Sequence, residues 1–203
     1  MITFYSPGLP STRLDEHGAC SELTRSAGWI DLFEPTEDEE KTLEAALGIN
    51  IPTREEMQEI ELSSRLYEED GNLFLTATVL AKADSNNPQS AAITFILSAD
   101  KLVTLRYSNP TAFAAFHARR EANVERYQTN YQFMAGLIDA IVERLADILE
   151  GVGASLDRIS LRVFDAEAPD GTSQWDSEPT KKRGKSRRTR QRRTGSGKVF
   201  RSS

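Results

Sequence analysis

One cysteine, Cys20, and two histidines, His17 and His117, are all that 203 residues offer to soft metals. A lone cysteine excludes an internal disulfide and points to a reducing compartment. Neither histidine has cysteine or histidine at ligand spacing, which argues against a tight zinc or transition-metal site. Long apolar runs are also missing. LFLTATVLA and AAITFIL fall well short of the roughly 18 to 20 residues that a membrane-spanning helix needs. The opening MITFYSPGLPSTRLDEHG has no basic stretch followed by an apolar core, so no secretory signal is expected. No Ser, His and Asp set, no Cys and His pair and no marked carboxylate pair argues for catalysis, and no enzyme is expected. GSGK at Gly195 to Lys198 lacks the first glycine and the flanking elements of a phosphate-binding loop.

Charge is plentiful but segregated. The formal net charge is −6, yet 11 of the 25 Lys and Arg lie at or after Lys181, where no Asp or Glu occurs. The preceding part therefore carries 14 basic against 31 acidic residues. From about Asp165 the sequence is rich in Gly, Ser, Thr, Pro and charge, and a disordered tail over 164–203 is expected. Its KKRGKSRRTRQRR run has no aromatic residue for base stacking, so any binding to nucleic acid or anionic lipid would be nonspecific.

Met1 to Tyr5 and the start of GWIDLFEPTEDEEKTLEAALG read as strands. Pro35, Thr36 and Glu39 mark a capped helix start, and Gly48 marks its end. Thr53 opens a second short helix expected over REEMQEIE, acidic in its first turn. Strands follow at Arg65 to Tyr67, Leu73 to Lys82, Ala91 to Leu97 and Lys101 to Tyr107, with turns at Gly71-Asn72 and Ala99-Asp100. After Asn109-Pro110 the pattern is helical, first at TAFAAFHARREA and then over 129–163. In the long helix Phe133, Leu137, Ile141, Leu145, Ile148, Val152 and Ile159 recur at helical spacing. Asp139 shares a strip with Ala135, Val142 and Ala146, where a second helix can approach closely. The expected fold is α/β, a sandwich with a mixed sheet that includes the long helix within residues 1–163.

WIDL, LGINIPTREEMQEI, SSRLYEEDGNLFLTATVL, TFIL with DKLVTLRY, and LIDAIVERLADILEGVGASLDRI, in this order, resemble the N-terminal cytosolic domain of the CorA family of magnesium and cobalt transporters. The resemblance spans roughly residues 25 to 163. It implies an αβα sandwich on the cytoplasmic side of the membrane, assembled as a homopentamer. It also implies regulatory magnesium bound between neighbouring domains, holding the pore closed. By that resemblance the metal-binding carboxylates correspond to Glu55 and Glu56 in PTREEM and to Asp139 in LIDAIV. The family has an Asp where Glu56 stands. Its Gly-Met-Asn motif and both membrane helices are absent from these 203 residues, so a sensing domain without its pore is expected, not transport-competent alone. The alternative is a soluble protein that uses its basic tail on nucleic acid or anionic membrane.

Overall fold

The computed structural model describes residues 1–14, 20–81 and 88–166, apart from the side chains of Leu62 and of residues 164–166. His17 and the basic tail lie outside the described residues. Two compact units divide the chain, Met1–Arg162 and Val163–Ser203. In the second, the described residues are the last ones of a helix.

In the first unit a seven-stranded mixed sheet is built from β1 (Ile2–Tyr5), β2 (Thr12–Arg13), β3 (Trp29–Phe33), β4 (Leu66–Glu69), β5 (Asn72–Ala81), β6 (Gln89–Leu97) and β7 (Leu102–Arg106). The order is β2-β1-β3-β7-β6-β5-β4. Strands β4 to β7 form the antiparallel meander that their turn residues predict. Among the described residues only the β3–β7 pairing is parallel; helical chain and strands β4 to β6 intervene between the two.

Period-2 alternation sorts the side chains onto two faces. Phe4, Ile30, Leu32, Ile96, Val103 and Leu105 form one core with Leu43 and Met57. This face is covered by α1 (Cys20–Ser26) and α2 (Glu37–Leu47). Tyr5, Trp29, Ile93, Phe95 and Leu102 form the other core, against α4 (Thr111–Ala122) and α5 (Asn130–Ala166). The result is the αβα sandwich expected from the resemblance. Phe113 and Phe116 of α4 and Phe133 and Leu137 of α5 are its buried contacts on that side.

Helix α2 starts as its sequence dictates. Thr36 Oγ1 accepts from the Glu39 amide, Glu39 Oε2 accepts from the Thr36 amide, and Gly48 closes the helix with φ +67°. The second short helix expected over REEMQEIE is not formed. A single 3-10 turn, Glu56–Gln58, stands in its place. Met57 is the only buried residue of that turn, so one apolar side chain anchors it and nothing supports a longer amphipathic face. Strand β4 starts one residue later than expected, behind a four-residue helix, α3 (Leu62–Arg65). Helix α1 and strand β2 had no expected counterpart.

Candidate functional site

Glu55 and Glu56 sit where the chain leaves Pro52 and turns. Glu56 Oε2 accepts from the Thr53 amide at 2.7 Å and from Thr53 Oγ1 at 3.0 Å, while Thr53 Oγ1 accepts from the Glu56 amide at 3.3 Å. This reciprocal pair is a capping box on a single turn. It fixes one oxygen of Glu56, a residue that is exposed. Glu55, at the N-cap of the 3-10 turn, makes no side-chain cap bond and is exposed. Beside it Arg54 lies over the Tyr107 ring, 5.1 Å from its centroid. The Tyr107 hydroxyl donates to Glu40 at 3.0 Å. Burial and that carboxylate push the Tyr107 pKa up to about 12.

Asp139 lies on α5, on the opposite face of the sheet. Its neighbours Leu137 and Ala140 point into the core, and Asp139 itself is exposed. The strip of Ala135, Asp139, Val142 and Ala146 is exposed, so the expected close helix approach is not made there; it is made at Gly136. A Cβ on Gly136 would fall 2.3 Å from Phe116 Cε2 and 2.9 Å from Tyr127 Cε1. The proximity of α4 brings Arg119 to Asp139, with Nη1 to Oδ2 at 3.4 Å, and to Glu143 through Nη2. The Glu143 hydrogen bond is the main reason the Arg119 guanidinium holds its proton more firmly than usual. Glu143 was not among the expected ligands. Its spacing of four from Asp139 is the signal that places the two carboxylates together.

Glu55 and Glu56 are therefore adjacent, and Asp139 is separated from them by the sheet. One chain does not bring the three together. Among the described residues no group of three or more His, Cys, Asp and Glu is arranged to hold a metal ion. His117 instead presents Nδ1 to the Tyr5 hydroxyl at 3.2 Å.

One acid is strongly engaged and was not anticipated. Asp31 and Thr104 are register partners on the parallel strands, and Arg106 lies two residues beyond Thr104 on the same face. Asp31 accepts from Thr104 Oγ1 at 2.7 Å and from Arg106 at 2.8, 3.1 and 3.2 Å. Trp29 Nε1 donates to Thr104 Oγ1, Arg106 Nη1 donates to Ser108 and Asn109, and Phe33 and Phe113 face the guanidinium. Tyr5 stacks on Trp29, with ring centroids 3.8 Å apart. Burial and the Asp31 charge raise the Tyr5 pKa. Thr104 and Arg106 thereby engage both Asp31 oxygens and tie β3 to β7.

Comparison with known proteins follows the same lines. Residues 25–174 match the family model described as CorA-like Mg2+ transporter protein. Magnesium transport protein CorA of Sodalis glossinidius is 28% identical over 156 residues, covering 77% of this chain and 48% of that protein. The corresponding protein of Escherichia coli K12 is 27% identical over 145 residues, with 71% and 46% covered. The chain thus spans just under half the length of these relatives. In fold it is similar to the soluble domain of CorA from Methanocaldococcus jannaschii, with a TM-score of 0.63 and 16% identity over 81% of this chain and 65% of that one. Among the described residues no helix is long and apolar enough to cross a membrane. With a family model spanning three-quarters of the sequence and the matching sandwich in place, this chain belongs to the family of CorA-like Mg2+ transporter proteins.

Proposed function

We propose that the chain is a cation-sensing regulatory domain of a divalent-cation transporter, acting on the cytoplasmic side of the membrane, and that its sensor sites form between copies. The observation that carries this reading is the placement of the acids. Glu55 and Glu56 lie on one side of the sheet and Asp139 on the other. In a head-to-tail ring each subunit presents two different surfaces, so opposite placement is what a shared site requires. Magnesium suits such a site. It keeps several waters and accepts one or two carboxylates from each side. A net charge near −17 before Lys181 pushes copies apart, and a bridging cation offsets that repulsion. Asp139 is held by Arg119 through a single long contact, which a hydrated dication can replace.

Millimolar magnesium is expected to promote association of the chain in sedimentation velocity at constant ionic strength, which separates bridging from screening. Glu55→Gln, Glu56→Gln and Asp139→Asn together should abolish that response while leaving the fold intact. If the triple variant responds as the parent does, these residues are ordinary surface acids. Vesicles reconstituted with the purified 203-residue chain should take up no more magnesium than empty vesicles, and uptake above that baseline would contradict this reading.

A further inference from the structure

Between α4 and the β2-β1-β3 edge of the sheet lies a cavity of about 250 Å³ that the cation reading does not use. Its floor is a polar row set up by strand register. Arg13 pairs with Thr3, Thr3 with Asp31 and Asp31 with Thr104, so these side chains stand side by side across β2, β1, β3 and β7 on one face. The first three line the cavity. Aromatic residues flank the row on the same face, with Tyr5 paired to Trp29 on one side and Phe33 on the other. Phe113 and His117, four residues apart on α4, line the cavity from the helix.

The charged acceptor in this cavity is spent, while several donors are not. Thr104 and Arg106 take both Asp31 oxygens, and Asn109, also in the lining, accepts from Arg106 on Oδ1. Thr3 is buried, yet its hydroxyl has no hydrogen-bond partner among the described residues, and neither do the Asn109 amide NH2 group and the Arg13 guanidinium. Burial keeps the Tyr5 hydroxyl protonated, so it donates to His117 Nδ1 at 3.2 Å and leaves the imidazole hydrogen on Nε2 as a further donor. The charges that bear on Tyr5 come in compensated pairs, Asp31 with Arg106 and Glu121 with Arg120. Among the charged side chains that line the cavity, Arg13 alone has no ion-pair partner among the described residues.

Uncommitted donors around one excess positive charge select an anion rich in lone pairs, a carboxylate or a phosphate. The aromatic side chains beside them suit a planar or apolar body. Sites for drug-sized ligands begin at roughly 300 Å³, so the ligand that fits here is compact. We propose that this cavity binds a small organic oxyanion, a carboxylate or phosphate monoester on a compact aromatic body, held by Arg13, Thr3, Asn109 and His117. The site shares no residue with the sensor reading and is tested without magnesium, so either can fail without the other.

In a Trp175→Phe background Trp29 is the sole tryptophan and reports on the cavity it lines. Benzoate and phenyl phosphate are titrated separately against its emission, in EDTA at constant ionic strength. At least one should saturate with a Kd of about 1 mM, and the tighter of the two identifies the oxyanion. Benzyl alcohol, the same ring without the charge, should bind at least about 10-fold more weakly. Arg13 is exposed, so Arg13→Gln should leave the fold intact and weaken oxyanion binding about 10-fold, with Arg13→Lys losing less. Arg25→Gln removes the same charge from exposed surface on α1 and should leave the affinity unchanged. The proposal is overturned if neither oxyanion saturates by about 50 mM, if benzyl alcohol binds as tightly as they do, or if Arg13→Gln binds as tightly as its parent. Inorganic phosphate binding as tightly as phenyl phosphate also overturns it, since the aromatic wall then contributes nothing.

Discussion

Asp31 and Asp139 both face an arginine, with opposite consequences. Asp31 is 3% exposed and receives hydrogen bonds from Thr104 and Arg106 at 2.7 to 3.2 Å. The side chain of Asp139 is 64% exposed and meets Arg119 once, at 3.4 Å. In the first pair, desolvation is offset by hydrogen bonds that occupy both oxygens, and no lone pair is left for an incoming ion. In the second, water still solvates the carboxylate and the ion pair contributes little. An acid's availability to a cation is therefore set by how completely the fold has already used it, more than by its charge.

Breaking the buried pair should have the largest effect. Arg106→Met leaves Asp31 charged, buried and unpaired, and should cost about 3–5 kcal/mol in urea unfolding. Gly136→Ala comes next. The added methyl meets the buried Phe116 ring, so a loss of about 2 kcal/mol is expected, together with displacement of Arg119 from Asp139.

Glu121 is intermediate between the two aspartates. Its Oε1 accepts from the fully buried Arg120 at 2.7 Å and from the Ser11 amide at 3.2 Å. Partial desolvation alone would raise its pKa, but those hydrogen bonds outweigh it and hold the carboxyl below the usual range. A lowered folded-state pKa stabilises fully above the unfolded value near 4.3, and that stabilisation is lost as pH falls through the folded value. Glu121→Gln should accordingly cost on the order of 1–2 kcal/mol at pH 7, with the deficit shrinking below about pH 4 in pH-resolved unfolding. Arg119→Gln should change stability least, by under about 0.5 kcal/mol. It should nonetheless lower the magnesium concentration needed for association, because Asp139 and Glu143 lose their competing cation.

The sandwich was legible where local chemistry and tertiary packing agree. Thr36, Glu39 and Gly48 bound α2 as their residue types require, and the meander follows from its turns and alternating strands. The run REEMQEIE shows where they part. Glu55 and Glu56 favour a helix start, but Met57 alone is buried, so propensity without an apolar face gave one turn. Asp31 and Arg106 are 75 residues apart in sequence, and only the parallel β3–β7 register brings them together. No local pattern carries that pairing. Positions 55, 56 and 139 were identified by resemblance, while their separation by the sheet depends on which core each element joins, a tertiary property.

The central claim, a cation site shared between two different faces, is tested most directly by mixing chains that each lack one half of it. A Glu55→Gln, Glu56→Gln chain keeps its Asp139 face and an Asp139→Asn chain keeps its Glu55 face. Sedimentation velocity with magnesium at constant ionic strength should find each chain monomeric alone and the equimolar mixture associated, since only the mixture completes a site. If the mixture stays monomeric while the chain with all three acids associates, or if either chain alone responds as fully as that chain, the two-faced site is contradicted.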